Sequence, residues 1–103
     1  MSFFERMLRG LMGAPRVVAE TEWTGEAGHS YRVTIQYSRA RYYVACVFSP
    51  AGDAKGPYVS SSMLTVKDTS TRDDFFEALR NLAYLSELPR DRSDELWDRM
   101  KSA

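Results

Sequence analysis

From Tyr31 to Phe48 apolar and polar residues alternate with period two, interrupted once at Arg39-Ala40. Period two is the pattern of a strand with one buried face, and two such runs about a short break predict an antiparallel hairpin. Tyr31, Val33, Ile35 and Tyr37 share a face in the first run, and Tyr42, Val44, Cys46 and Phe48 continue it in the second. If Arg39-Ala40 is a two-residue loop, Tyr37 pairs with Tyr42 and Ile35 with Val44. Arg-Ala is poor chemistry for the primed turns such loops favour, so this register rests on the pattern alone.

The same reading extends in both directions. Arg16 to Thr24 is a first strand with Val17, Ala19 and Trp23 on one face and Glu20 and Glu22 on the other, followed by a turn between Gly25 and Gly28. Ser49 to Pro57 is a polar loop, and Tyr58 to Lys67 is a weaker strand whose Ser60-Ser61-Ser62 run places it at a sheet edge. Thr69-Ser70-Thr71 offers N-cap chemistry with Asp73 and Asp74 in the first turn, and predicts a helix to about Leu88. Its apolar face comprises Phe75, Phe76, Ala78, Leu79, Leu82, Ala83 and Leu85, and Pro89 ends it. Ser93 is expected to cap a last short helix with the ridge Leu96, Trp97 and Met100. At the other end, Phe3, Phe4, Met7, Leu8, Leu11 and Met12 fall within about half a helical wheel, and Gly13 and Pro15 stop that helix.

The predicted fold class is therefore α+β. A four-stranded antiparallel meander has one long helix packed on one face, a short N-terminal amphipathic helix and a short C-terminal helix. The chain of 103 residues is expected to be a single domain over 1–103: an N-terminal helix (1–13), the sheet (16–67) and a helical C-terminal part (71–102).

Charge changes this picture little. Fourteen basic and fourteen acidic residues cancel, which gives no bulk attraction to a polyanion. Between His29 and Lys67 five basic residues face the single acid Asp53, whereas six basic residues and nine acids follow from Asp68 onward. The sheet half is thus mildly basic and the helical tail mildly acidic. A single cysteine, Cys46, cannot form an internal disulfide and fits a reducing, cytoplasmic setting. No apolar run approaches the roughly 20 residues of a membrane helix.

Candidate chemistry is sparse. His29 is the only histidine and sits at a turn-to-strand junction with Glu26 as the one nearby acid. Cys46 falls on the buried face, where a free thiol behaves as a small hydrophobe. The serine run lacks a GxSxG turn and a Ser-x-x-Lys. One His and one Cys do not make a structural zinc site, and the glycines of the long loop lack the phosphate-loop context. The expectation is a protein without catalytic activity, metal or cofactor.

The opposite face of the hairpin is more informative. Arg32, Gln36, Arg41 and Tyr43 project there together with Ala45 and Val47, extended by Asp53, Lys55 and Tyr58 of the adjoining loop. Tyr and Arg are favoured anchors of protein interfaces, and the function expected of this face is a protein partner docked as by an inhibitor or adaptor, unless the N-terminal helix covers the face and makes it core. Arginines interleaved with an aromatic on a sheet also form platforms for single-stranded nucleic acid, the alternative reading. Self-association is expected through Phe3, Phe4, Met7, Leu8 and Leu11 or the fourth-strand edge, giving a homodimer. A membrane surface is a second alternative for the amphipathic N-terminal helix. In element order over about residues 16–88 the chain is similar to the single-stranded-DNA-binding transcriptional coactivator fold. It also resembles several small phage-encoded inhibitors of bacterial defence. Neither resemblance has a diagnostic motif, so neither transfers a functional residue.

Overall fold

A computed structural model describes residues 16–52 and 55–103 of the chain. The strands are β1 (Arg16–Thr24), β2 (Ser30–Ser38), β3 (Arg41–Ser49) and β4 (Tyr58–Met63). They form one antiparallel sheet in the order β1-β2-β3-β4. A 3-10 turn (Lys67–Thr69) leads into α1 (Arg72–Arg80) and then α2 (Arg90–Ser102). The α+β meander and its hairpin register are as the alternation predicts: Tyr37 pairs with Tyr42 and Ile35 with Val44. Arg39 and Ala40 both take the left-handed conformation, at φ 53° and 63°. They adopt the primed geometry although neither residue favours it, because a register slip of one residue would turn every buried side chain of the hairpin outward.

Four expectations need correction. Val17 does not share the face of Ala19: a bulge between Val17 and Ala19 sets Val17 opposite Gln36 and leaves Val18 packed against the core instead. The first C-terminal helix ends at Arg80, not near Leu88. Residues 81–89 form successive tight turns, in which Leu82, Leu85 and Leu88 each donate a backbone hydrogen bond three residues back, at 3.1–3.2 Å. The Arg80 guanidinium fixes this segment through two bonds to the Ser86 carbonyl, at 2.9 and 2.7 Å. The last helix is also longer than expected. Pro89, extended at φ −67° and ψ 143°, caps it, so Ser93 lies inside the helix and is buried rather than capping it. β4 is shorter than expected, ending at Met63. The proposed N-terminal helix lies outside the described residues.

The core lies between the sheet and the helical layer. Ala19, Val33, Ile35, Val44 and Cys46 of the sheet pack against Phe75, Leu79, Leu85, Leu88, Leu96 and Met100. Burying one such Leu or Phe contributes roughly 1.5–3 kcal/mol. Thr71 caps α1 as expected, its hydroxyl accepting from the Asp74 N–H at 3.0 Å. α2 is held to β1 by Thr21, which donates to Glu95 Oε2 at 3.1 Å, and by Arg99, which donates to the Glu20 carbonyl at 3.0 Å.

Candidate functional site

Cross-strand register decides which side chains share the outer face. Gln36 stands between Val17 and Tyr43, with Met63 beyond Tyr43. Thr34 stands between Glu20 and Ala45, with Ser61 beyond, and Arg32 between Glu22 and Val47, with Val59 beyond. Arg32, Arg41 and Tyr43 are therefore on one face, as their parity predicts. Gln36 is on that face too, but only 2% exposed, and its Oε1 has no hydrogen-bond partner among the described residues. It is not available to a docking partner as expected. Thr34 and Ala45 are buried in the same zone, so the accessible part of the face lies toward β4.

There the surface is apolar. Val59 and Met63 are 42% and 46% exposed, and the half-buried Val47 and Tyr43 lie opposite them on β3. The small Ala45 and Ser61 occupy the row between. Arg41 is exposed beside this patch, its Nη1 3.7 Å from the Met63 sulfur. Arg32 is at the other end and donates from Nε to Glu20 Oε1 at 2.6 Å. Both members of that pair are more than a third exposed, so it contributes at most about 1 kcal/mol. The result is an apolar centre with a charged rim, the usual composition of a protein-docking surface.

Tyr58 is not part of that face. It pairs with Phe48 on the helix-facing side, at the end of the sheet, where sequence reasoning missed a group of aromatic rings. Trp23 stacks on Tyr31 at 4.9 Å, Tyr31 meets Phe48 at 5.2 Å, and Tyr84 lies nearly parallel to Phe48 at 5.0 Å. His29 sits 5.3 Å from Phe48, and its Nδ1 accepts the Ala51 N–H at 2.9 Å. Burial first, then the Glu87 carboxylate and Cys46, raise the Tyr31 hydroxyl above its ordinary pKa. The available signal was positional: Trp23, Tyr31, Phe48 and Tyr58 all occupy strand ends that a meander brings to one edge of the molecule. Lys55 is exposed in the loop before Tyr58. Asp53 and the self-association residues Phe3, Phe4, Met7, Leu8 and Leu11 lie outside the described residues.

Cys46 is poorly placed to act as a nucleophile. Cys46 is 1% exposed and burial pushes its thiol up to about 11, which suppresses the thiolate a nucleophile requires. Among the described residues no group of three or more His, Cys, Asp or Glu side chains is arranged to hold a metal ion, and no helix is long and apolar enough to cross a membrane. Comparison with protein-family models, curated proteins and solved structures returns no match.

Proposed function

We propose that this chain is a small non-catalytic binding protein that docks a protein partner through the β3–β4 part of its outer face, as a stoichiometric inhibitor or adaptor. The observation that carries this reading is the exposed apolar pair Val59 and Met63 beside Tyr43 and Val47, with Arg41 at the rim. Tyr43 serves as the anchor that loses its remaining water on docking, and Arg41 pairs with an acidic group of the partner. Glu20 and Glu22 share this face with Arg32 and oppose a phosphate backbone, which favours a protein over single-stranded nucleic acid. The buried, protonated Cys46 suits a reducing cytoplasmic setting.

The test is comparative capture from the native host. Tyr43→Ala and Arg41→Glu should each weaken binding of a specific protein about thirtyfold while circular dichroism stays unchanged; removing a good interface anchor costs about 2 kcal/mol. Tyr84→Ala, altered on the opposite side, should leave recovery intact. Equal recovery by all three variants would contradict the proposal, as would recovery of oligonucleotides whose binding falls steeply with salt.

A further inference from the structure

The two edges of the sheet are treated differently. β1 carries Arg16, Glu20 and Glu22, and α2 reaches it through Arg99, which occupies the Glu20 carbonyl. Among the described residues β4 has no such protection. From Tyr58 to Val66 the chain has no charged residue and no proline, although edge strands ordinarily carry lysine, proline or a bulge to prevent pairing with other chains. Four of the exposed large hydrophobic residues, Tyr58, Val59, Met63 and Val66, lie in this one stretch.

The backbone there is open as well. The Leu64 N–H donates to the Tyr42 carbonyl at 2.9 Å. Backbone groups alternate in direction along a strand, so Ser60 and Ser62 also address β3, whereas Val59, Ser61 and Met63 direct their N–H and C=O groups away from the sheet. β4 is the terminal strand of the sheet, and no further strand pairs with it among the described residues.

We propose that β4 pairs antiparallel with β4 of a second copy of this chain, about a two-fold axis midway between the two Ser61 residues and perpendicular to the sheet. The choice of a second copy rests on self-complementarity. Such an axis keeps every residue on its own face, so residues paired across it must have the same parity. With Ser61 opposite its own counterpart, Val59 falls opposite Met63 of the second copy on the outer face, and Met63 opposite Val59. The two apolar side chains therefore meet flank to flank twice, and the outer-face patch continues across the axis. On the inner face Ser60 falls opposite Ser62, a pairing of small hydroxyls that suits a close cross-strand contact. Ser61 and the Val59–Met63 pairs are those whose outward groups exchange hydrogen bonds. Sliding by one step of the same parity sets Met63 opposite Pro57, which has no N–H to donate, and sliding the other way sets Val59 opposite Thr65, beyond the end of the strand. The interface is isologous and closes as a dimer with one continuous eight-stranded sheet.

Light scattering over a range of concentrations should show the mass rising toward twice 11.8 kDa. Ser61→Pro removes an outward N–H without touching a bond to β3, and should weaken dimerisation about tenfold, the equivalent of one or two hydrogen bonds. Ser61→Cys should cross-link to itself on oxidation, since a hydrogen-bonded antiparallel pair has Cα atoms about 5.5 Å apart, within disulfide range. Ser62→Cys, which faces Val44 in its own chain and Ser60 of the second copy, should not cross-link. These cross-links keep the proposal testable if the proline variant misfolds. Val59→Glu and Met63→Lys should each weaken the dimer, and the double variant should restore it by opposing Glu to Lys twice. A monomer at every concentration would overturn the proposal. So would a dimer that retains its affinity in Ser61→Pro and forms no cross-link through Ser61→Cys. Protection of the Val59, Ser61 and Met63 amides only on adding a foreign protein would reassign the edge to that protein.

Discussion

Tyr84 holds a left-handed backbone, φ 69°, that a bulky side chain occupies at a cost of about 1 kcal/mol. Its ring offsets this by stacking on Phe48 and approaching Tyr58. Tyr84→Ala keeps the strain and loses the stacking, so it should destabilise more than Tyr84→Gly, by about 1 kcal/mol, read as a shift in urea midpoint at constant slope. Cys46 gives a second prediction. Its neutral thiol is favoured in the fold, so the unfolded chain loses the proton first. Stability should be complete below pH 9.0 and fall as pH rises toward about 11. Tyr31, raised above 10.0 in the same sense, adds to the decline at higher pH. Cys46→Ala should remove the earlier part of that decline in urea titrations at several pH values. If the variant retains the whole decline, burial of the thiol is not its cause. At this scale the sequence revealed which face a residue takes but not its depth. Parity placed Gln36 correctly on the outer face, yet nothing in the alternation distinguishes its near-complete burial from the exposure of Arg41.

Among the elements, the hairpin was legible because its buried face over-determines the register. The turn contributes little, since Arg39 and Ala40 both bear left-handed strain. Arg39→Asn with Ala40→Gly should therefore stabilise the chain by about 1–2 kcal/mol in thermal or urea unfolding. A loss of stability would show that the turn is not held in this geometry. The helical half was less legible for a definable reason. Leu79, Leu82, Leu85 and Leu88 recur every third residue. Three residues make a full revolution in a 3-10 turn but fall about 60° short in an α-helix. The stripe from Phe75 to Leu79 has α-helical spacing, whereas the leucines beyond it have the spacing of consecutive tight turns. Reading both as one helix carried α1 too far. It also displaced the start of α2, where Pro89 rather than Ser93 is the boundary. The bulge at Val17 left no comparable mark, because consecutive valines fit either face.

For the molecule as a whole, the acidic excess of the C-terminal half is absorbed within the fold. Arg90 contacts Asp73 and Asp94, and Arg72 contacts Asp94 and Asp98. These exposed pairs contribute little individually, but they leave those carboxylates facing arginines rather than a partner. The acids of β1 likewise temper the basic character of the sheet, since Glu20 and Glu22 share the outer face with Arg32. What remains open is the apolar ground between Tyr43 and Met63, flanked by Arg41. Strand parity made the β3 part of this surface legible. Val59 and Met63 are less legible, because the Ser60-Ser61-Ser62 run between them breaks the apolar alternation and marks only a sheet edge. The most direct measurement places a photo-crosslinking phenylalanine analogue at Tyr43 in one variant and at Tyr84 in another, within the native host. One dominant protein adduct is expected from position 43 and is absent from position 84. The same adduct from position 84 alone, or a nucleic-acid adduct from position 43, would contradict the proposed docking.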